Sequence, residues 1–554
     1  MLLTLLTPLS FALVAPPPKS TIVGAGPAGL ATAVLLAKRG WPNVEVLDRL
    51  EPPPPLDGST WTDTARFYLI GIGGRGQKAL KAIDAWDEVQ KVSAVVRGRK
   101  DWAPGATEGV ETIRADRPPS YVIQRDRLVA SLLAQARELG VTVRHSVDVS
   151  GISWDGDEAI LQCSPCGEEC ALDDEGGKEY DGAFELRTPF VVASDGVRRT
   201  VASAMEAEDA AEARLLPFSR FKLKKFEDTA VRVYKTVPLK LPADWRGDIN
   251  YSCRTSKFNF DALPAPVGRA PADAPADGAP VSEYCGVLLI KPDDEATQGL
   301  ADVPAAREYF DEYLPQFSGF ISDAALASVI AKPPSRLPVF RFAGPRLHRG
   351  ASTVVLGDAV HSVKPYFGLG VNSAFEDVAA LGDALDEETT LGGATAAFSA
   401  KRAAEARVLV ELSRSFDRRG LAGFATFIGP IIMDAIFGKL PLVGKLFAPN
   451  TLALLQNPEY TYAMVRWRKR ADRAVQLALL AAIGTGVGAL LRRAAAAVVA
   501  LVPRRALLAG GALAVSAAAV KALRGRGAID QPQQADIADV LAKTTKKEGK
   551  RAGY

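Results

Sequence analysis

Residues 354–381 read VVLGDAVHSVKPYFGLGVNSAFEDVAAL, and this stretch decides the fold. A short apolar strand ends at Gly357 and Asp358, a loop with proline and glycine follows, and the apolar spacing beyond it predicts a helix. A loop that leads into a helix exposes unpaired backbone N–H groups, which suit an anion. Asp358, just before this loop, can accept hydrogen bonds from the hydroxyl groups of a ligand.

A glycine-rich turn near the start of the chain predicts a second part of the same site. Residues 24–29 are Gly24, Ala25, Gly26, Pro27, Ala28 and Gly29, between a predicted strand at 21–23 and a predicted helix that runs to about residue 39. The three glycines allow a tight turn, the approach of a pyrophosphate and close packing of helix on strand. A further strand, 44–47, ends in Asp48, where an acidic residue can hold ribose hydroxyls.

A third fingerprint follows the apolar run at 190–194, where Asp195 and Gly196 end a predicted strand. Together, in this order, the three fingerprints resemble those of the group A FAD-dependent aromatic hydroxylases, which are flavin monooxygenases. The run GDAVHSVKPYFGLGVNSAFEDV is most similar to the kynurenine 3-monooxygenase branch. The resemblance extends over about residues 20–480 and is looser in the middle of the chain.

The resemblance implies an α/β (α+β) fold with a Rossmann-like FAD-binding domain and an inserted β-sheet domain that covers the substrate. We expect the FAD-binding domain at 20–215 and 336–420, and the covering sheet at 216–335. Residues 262–280 are rich in Pro, Ala, Gly and Asp and predict a disordered loop within that sheet domain. A helical region follows at 421–530, and the polar, basic residues 531–554 predict a disordered tail.

The resemblance further implies a monooxygenase that uses NAD(P)H, with NADPH favoured, and O₂ to hydroxylate an aromatic ring through a flavin C4a-hydroperoxide. The flavin chemistry belongs to the cofactor, so the protein supplies position, electrostatics and exclusion of water. Residues expected to line the reactive face of the flavin are Pro365, Phe367, Gly368 and Asn372. Residues expected to bind FAD are Gly24, Gly26, Ala28, Gly29, Asp48, Arg49, Arg125, Asp195, Gly196, Gly357, Asp358, Gly370, Val371 and Asn372. For His361, a structural role in the loop is favoured over proton donation.

Arg99 matches the arginine that the kynurenine branch pairs with the substrate carboxylate. A guanidinium group fits a carboxylate through two parallel hydrogen bonds. A predicted strand at 94–100 would place Arg97 on the same face as Arg99, so Arg97 is a second candidate, and two solvated arginines are the alternative. The chain departs from the branch at residues 413–416, where Ser, Arg, Ser and Phe stand in place of the expected tyrosines.

Composition limits the other classes of function. With 554 residues, 48% hydrophobic residues and a net charge of +3, the chain can bury a large core and offers little to attract nucleic acid. Five cysteines do not form a disulfide framework and indicate a reducing compartment. Cys163, Cys166 and Cys170 cluster, but His145 is the only nearby histidine, so we expect a polar hairpin insertion rather than a zinc site.

Apolar segments at both ends raise the question of a membrane. Residues 1–19 are either a short leader or an extension of the first strand. Residues 474–491 carry no charge, follow a tryptophan among basic residues at 466–470, and are long enough to cross a bilayer. A shorter second segment at 506–520 is equally consistent with an interfacial or packed helix. We therefore expect a C-terminal anchor in the mitochondrial outer membrane or another organelle membrane, facing a reducing compartment.

Three functions remain open at this point. The first is an aromatic hydroxylase that acts on kynurenine or a related aromatic carboxylate. The second is a flavoenzyme of the same fold that epoxidises or reduces a lipid or polyene dissolved in the membrane. The third is an FAD-binding interaction module without turnover. Product analysis separates the first two, and NAD(P)H oxidation stimulated by substrate separates the first from the third.

Overall fold

The computed structural model describes residues 14–56, 68–113, 118–166, 182–212, 219–228, 231–255, 257–266, 281, 283–294, 300–418, 420–441 and 444–501. It divides into two compact units. The first comprises residues up to 417 together with 455–463, and the second comprises 418–454 and the residues from 464 onward. The predicted segment 506–520, the predicted tail 531–554, residues 1–13 of the predicted leader and Cys170 lie outside the described residues. Val14 is buried, and its N–H donates to the carbonyl of Leu385.

The strands of the first unit, in chain order, are β1 (Ser20–Val23), β2 (Val44–Leu47), β3 (Leu69–Ile72), β4 (Ala94–Val96), β5 (Gly98–Trp102), β6 (Val110–Ile113), β7 (Ser120–Gln124), β8 (Thr142–Arg144), β9 (Val147–Asp155), β10 (Glu158–Pro165), β11 (Phe184–Thr188), β12 (Val191–Ala193), β13 (Lys222–Lys225), β14 (Val233–Lys240), β15 (Ile249–Arg254), β16 (Asn259–Pro264), β17 (Glu283–Ile290), β18 (Ser335–Arg336), β19 (Arg341–Gly344), β20 (His348–Arg349), β21 (Thr353–Val355) and β22 (His361–Ser362).

The α-helices, in chain order, are α1 (Pro27–Lys38), α2 (Gly74–Ala82), α3 (Trp86–Lys91), α4 (Arg125–Glu138), α5 (Thr200–Ala211), α6 (Val303–Tyr313), α7 (Asp323–Ala331), α8 (Leu369–Glu387), α9 (Leu391–Ser415), α10 (Gly420–Gly423), α11 (Gly429–Phe437), α12 (Thr451–Gln456) and α13 (Tyr462–Leu501).

A six-stranded sheet with the order β20-β21-β12-β1-β2-β8 carries the three fingerprints. β1 pairs in parallel with β2 and β12, and β12 pairs in parallel with β21. Every residue of β1, β12 and β21 is buried, as expected of central parallel strands that are covered on both faces. Since the carboxyl ends of parallel strands meet at one edge, the turns after β1, β12 and β21 come together there.

A seven-stranded sheet with the order β18-β14-β17-β16-β15-β5-β6 lies largely within 216–335, the range predicted for the covering sheet, and it keeps that name below. Apolar side chains on one of its faces pack with residues of α6 and α7 in a separate core that includes Trp102, Phe260 and Phe310. Two strands, β5 and β6, come from upstream of the predicted range 216–335, because β5 pairs in parallel with β15. Ala262 and Pro264 belong to β16 rather than to a loop that starts at 262, and 267–280 lie outside the described residues.

The predicted strand at 94–100 is wrong in one respect. The chain forms two strands, β4 and β5, which belong to different sheets and are separated by Arg97. A Cβ on Gly98 would lie 2.5 Å from the carbonyl oxygen of Thr112, so the glycine permits the close approach of β6 at the start of β5. Arg97 and Arg99 therefore do not share one regular strand face.

The second unit is helical in the part that the structure describes. Residues Gly420–Phe437 form one helical stretch with a π-helical turn at Phe424–Ile428, and α13 begins at Tyr462. Lys469 Nζ lies 2.9 Å from carboxylate oxygens of both Asp434 and Asp472. By length and composition, Gly420–Phe437 and Tyr462–Leu490 could each cross a bilayer. Leu421 and Trp467 are among the large apolar side chains exposed in this unit.

Candidate active site

The glycine turn after β1 has two positions that only glycine can fill. Gly24 has a φ of +102°, and a Cβ there would lie 2.4 Å from the carbonyl oxygen of Ser194. A Cβ on Gly29 would lie 1.9 Å from the carbonyl oxygen of Gly24. Gly26, in contrast, borders open space, since a Cβ there would meet nothing within 4 Å. The turn thus presents bare backbone and the N-terminus of α1 to that space, as a pyrophosphate requires.

Asp48 follows β2 and is fixed by two backbone groups. Its carboxylate accepts hydrogen bonds from the N–H groups of Ala25 at 2.5 Å and Leu50 at 2.7 Å. The carboxylate therefore holds the glycine turn and still has lone pairs for a ligand hydroxyl. Arg49, the next residue, is partly buried.

Asp195 follows β12 and has an unpartnered oxygen. Its Oδ2 accepts a hydrogen bond from Val201 N–H at 3.3 Å, while its Oδ1 is buried without a partner. Burial raises the pKa of Asp195 to about 6. Gly196, with a φ of +63°, turns the chain away immediately afterwards. A buried acceptor without a donor carries a free-energy cost that a hydroxyl of a bound ligand would remove.

Gly357 and Asp358 follow β21 in the same way. Gly357 has a φ of +67°, and a Cβ there would lie 3.2 Å from the Cβ of Ala28, so this turn packs directly against the first turn of α1. The Asp358 side chain is reached by water, yet protein surrounds it, and this desolvation raises its pKa. A carboxyl that water reaches and protein surrounds lines a cleft, which we call the Asp358 cleft. The backbone carbonyl of Asp358 accepts a hydrogen bond from Arg199 at 2.6 Å.

Tyr68 and Arg125 lie beside the same cleft. Burial raises the pKa of Tyr68 to about 12, with Arg125 opposing the shift and Asp358 adding to it. The Arg125 guanidinium donates to Asp126 at 2.9 Å and also feels the charge of Asp48. Asp358 in turn feels the charge of Arg125. These observations place three residues predicted to bind the cofactor close together, namely Asp48, Asp358 and Arg125.

Pro365–Phe367 form a short 3₁₀ turn that ends at Gly368, where φ is +63°, before α8 begins. The Phe367 ring packs edge-on against Phe416 at a centroid distance of 5.0 Å. A Cβ on Gly370 would lie 3.5 Å from Val363, which is ordinary contact. Val371 is partly buried against the main core. The glycine at 368 thus sets the direction in which this loop enters α8.

The side chain of Asn372 forms hydrogen bonds to two backbone segments, which the sequence did not predict. Its Oδ1 accepts hydrogen bonds from the N–H groups of Gly73 and Gly76, both at 3.0 Å, and its Nδ2 donates to the carbonyls of Gly71 and Gly368. All of these partners are backbone groups of the β3–α2 turn and the Pro365 loop. The side chain joins these two segments, and its hydrogen-bonding groups are engaged in doing so.

A buried charge network lies beneath the Gly357 turn. Asp377 accepts hydrogen bonds from Gly357 N–H at 2.9 Å and from Arg402 Nε at 2.6 Å, and it lies 2.8 Å from His361 Nε2. Although burial alone would raise it, Arg402 and His361 hold the pKa of Asp377 below its ordinary value. His361 is fully buried, which agrees with the structural role favoured for it.

The covering sheet places the predicted substrate residues differently. Arg97 lies between β4 and β5, and its Nε is 3.8 Å from Asp248. Arg99 lies in β5, keeps 45% of its side chain exposed and forms an ion pair with Asp101. Arg99 therefore remains accessible, but its nearest partner in the protein is a carboxylate.

These observations fit FAD. The bare backbone at Gly26, the unpartnered Asp195 oxygen and the Asp358 carboxyl in its cleft provide a pyrophosphate site and two hydroxyl acceptors around one sheet edge. Among the described residues, no group of histidine, cysteine, aspartate or glutamate side chains is arranged to hold a metal ion.

Comparison with known proteins gives the same cofactor. A family model described as "FAD binding domain" matches residues 19–237. The kynurenine 3-monooxygenase of Xanthomonas campestris pv. campestris (strain 8004) is 25% identical over 429 residues, which cover 75% of this chain and 82% of that protein. The kynurenine 3-monooxygenase of Stenotrophomonas maltophilia (strain K279a) is 26% identical over 402 residues, or 71% and 77% of the two chains. Both relatives are bacterial, so they favour no particular organelle membrane.

Solved structures share the fold at lower identity. The tetrameric form of 2-methyl-3-hydroxypyridine-5-carboxylic acid oxygenase has a TM-score of 0.52 and 16% identity, and the match covers 74% of this chain and 96% of that one. PqsL of P. aeruginosa, solved in complex with 2-aminobenzoylacetate, has a TM-score of 0.50 and 17% identity, with 74% and 98% covered.

Proposed function

We propose that this protein, which belongs to the group A FAD-dependent aromatic hydroxylases, uses NAD(P)H and O₂ to hydroxylate an aromatic carboxylate, with kynurenine as the first candidate substrate. The observation that carries the proposal is the meeting of the Gly24, Asp195 and Asp358 turns at one sheet edge, together with an accessible Arg99 on the covering sheet. The names of the curated relatives supply kynurenine as the candidate.

Bound FAD supplies the redox chemistry, namely acceptance of a hydride from NAD(P)H and activation of O₂. The chain's own residues would hold it. Backbone N–H groups at the start of α1 would bind the pyrophosphate, Asp48 would accept from ribose hydroxyls, and Asp195 and Asp358 would accept from other hydroxyls of the cofactor. Gly357 and Gly368 would present backbone rather than a side chain to the cofactor.

The covering sheet would shield the reacting ring from water, which protects short-lived reaction intermediates. Arg99 would bind the substrate carboxylate and so orient the ring. Pro365, Phe367 and Gly368 would form the wall next to the reacting ring. Asn372 would act at one remove, since it holds the Gly368 carbonyl and the β3–α2 turn in place.

The decisive experiment incubates the purified protein with FAD, NADPH and a panel of aromatic carboxylates that includes L-kynurenine. We expect one class of compound to stimulate NADPH oxidation and to yield a product heavier by one oxygen atom. Stimulated oxidation that produces only hydrogen peroxide would contradict the proposed hydroxylation.

A second candidate is epoxidation or reduction of a lipid or polyene. The exposed apolar helices of the second unit favour it, since by length and composition Gly420–Phe437 and Tyr462–Leu490 could both contact a bilayer. We propose that α13 attaches the protein to a membrane in either case. Conversion of an uncharged polyene, with no response to any carboxylate, would select this second function.

A further inference from the structure

The two faces of β5 look onto different surroundings. Lys100 and Trp102 point to the face that packs under α6 and α7, where the Lys100 Nζ lies 5.2 Å from the centroid of the Trp102 ring. Side chains alternate along a strand, so Arg99 and Asp101 lie on the opposite face. Cys285 lies on that same face and packs against Leu69, the neighbour of Tyr68. The face with Arg99 and Asp101 is therefore the one turned toward the Asp358 cleft.

Four charged side chains on this face form two ion pairs of different character. Arg254 donates two hydrogen bonds to Asp261, at 3.1 and 2.9 Å, and Ser252 adds a third at 2.6 Å. Although burial alone would raise it, Arg254 holds the pKa of Asp261 below its ordinary value. This pair is satisfied within the protein, so it is a fixed part of the wall.

The second pair, Arg99 and Asp101, remains open to a ligand. The two side chains keep 45% and 35% of their surface exposed, and each has the other as its ion-pair partner among the described residues. A ligand with only a carboxylate would take Arg99 from Asp101 and leave Asp101 with Arg254 as a neighbouring cation, whose hydrogen bonds are already made to Asp261. This loss of its direct partner is costly for a half-buried carboxylate. A zwitterion would replace each partner by a group of the same charge.

Asn250 supplies an independent sign of a missing donor. It is the partner of Arg99 on the neighbouring strand β15. Its Oδ1 is buried and accepts no hydrogen bond. An ammonium group carries three N–H donors, and one of them would satisfy this acceptor while another pairs with Asp101.

We propose that Asp101 and Asn250 bind the ammonium group of an α-amino acid substrate while Arg99 binds its carboxylate, an assignment that rests on the proposed hydroxylase function. Asp101 then determines specificity, because it separates aromatic amino acids from aromatic carboxylates that lack the amino group. A ligand without an amino group takes Arg99 away from Asp101 and offers no cation in its place, whereas an amino acid supplies its ammonium group. Discrimination arises from both effects.

Binding measurements on the FAD-loaded protein test the assignment without turnover. L-kynurenine and L-tryptophan are each compared by calorimetry with the analogue in which hydrogen replaces the amino group. We expect the wild type to bind at least one amino acid about tenfold or more tightly than its analogue, a difference of about 1.4 kcal/mol. Asp101→Asn should bring the ratio of the two affinities close to one, mainly by weakening the binding of the amino acid. Asn250→Leu should lower that ratio in part.

Glu111→Gln is the matched control, because Glu111 lies on the adjacent strand β6 opposite Lys100, on the other face from Asp101, and pairs with Arg246 at 3.2 Å. It should leave the ratio unchanged, and flavin content and thermal denaturation verify that every variant is folded. Equal binding of amino acid and analogue by the wild type, equal weakening of both by Asp101→Asn, or no binding of either would overturn the ammonium site. Discriminating binding without any oxygenated product would instead overturn the proposed function alone.

Discussion

Asp377 accepts a hydrogen bond from the backbone N–H of Gly357 at 2.9 Å, although 20 residues separate the two along the chain. The same carboxylate contacts Arg402 and His361, and all three side chains are buried. The turn that carries Asp358 is therefore positioned by a charge network behind it rather than by its own sequence alone.

Asp377→Asn should destabilise the protein by about 3 kcal/mol, because removal of one partner leaves Arg402 charged and buried. Glu376, 3.9 Å from Arg402, would compensate only in part. Urea unfolding followed by fluorescence measures the change. Asp383→Asn is the control on the same helix, since Asp383 and Lys401 are about half exposed and their pair should contribute less than about 1 kcal/mol. Equal losses in the two variants would contradict this role of Asp377.

Asp358→Ala should weaken FAD binding by about 1.5 to 3 kcal/mol, the range for hydrogen bonds to a charged acceptor. The backbone carbonyl that accepts from Arg199 is retained, so the fold should survive. Flavin fluorescence during dilution gives the dissociation constant, and Asp358→Asn should lie between the wild type and the alanine variant. Undiminished flavin retention in the alanine variant would remove Asp358 from the cofactor site.

The flavin-free protein should lose stability as the pH rises from about 4 to 6. In that window Asp195, whose pKa is raised to about 6 by burial, holds a proton in the folded state that the unfolded chain has released. Titration of Asp195 changes the free energy of unfolding by at most about 3 kcal/mol over this range. Urea unfolding of the flavin-stripped wild type and of Asp195→Asn at several pH values isolates it. Parallel pH profiles for the two proteins would refute the assignment.

Arg99→Ala should raise the apparent substrate constant about 30-fold or more, because loss of one partner of a desolvated charge pair costs about 2 to 5 kcal/mol. NADPH oxidation in the absence of substrate should stay the same. Arg187→Ala is the control, since Arg187 is half exposed on another sheet and pairs with Glu158. Unaltered constants for Arg99→Ala would point to Arg97 or to an uncharged substrate.

A chain that ends after Gln476 should lose membrane attachment and keep FAD. The cut preserves Lys469 and its ion pairs with Asp434 and Asp472, and it removes most of residues 474–491. Carbonate extraction of membranes measures how firmly the full-length chain and the shortened chain are attached. Full-length protein in the carbonate-soluble fraction would disprove the anchor.

The sequence alone predicted the turns that local chemistry dictates, while the roles assigned to their residues stay predictions. The Gly24 turn, Asp48, Asp195 and Asp358 each end a short apolar strand, and a glycine is needed wherever backbone must approach closely. Parallel strands then bring these turns to one edge without further information. The family resemblance that rested on them is confirmed by the comparisons.

The remainder depends on contacts between distant segments, for which the sequence offers no periodic signal. Asn372 joins α8 to backbone groups about 300 residues earlier, and an asparagine in a helix gives no hint of such partners. The sequence likewise does not predict that Arg402 is buried and paired with Asp377, because most arginines lie at the surface. At Arg97, a run that looks like one strand is divided because β5 joins β15 in another sheet.

Because side chains alternate along β5, the register of this strand decides which of them face the Asp358 cleft. Insertion or deletion of a single residue just before Gly98 would exchange the two faces, sending Trp102 toward the Asp358 cleft and Arg99 into the aromatic core. Length changes in the turn between β5 and β6 would leave the register of β5 unchanged. In natural or engineered variants, insertions and deletions should therefore be tolerated after Trp102 and excluded between Val96 and Gly98.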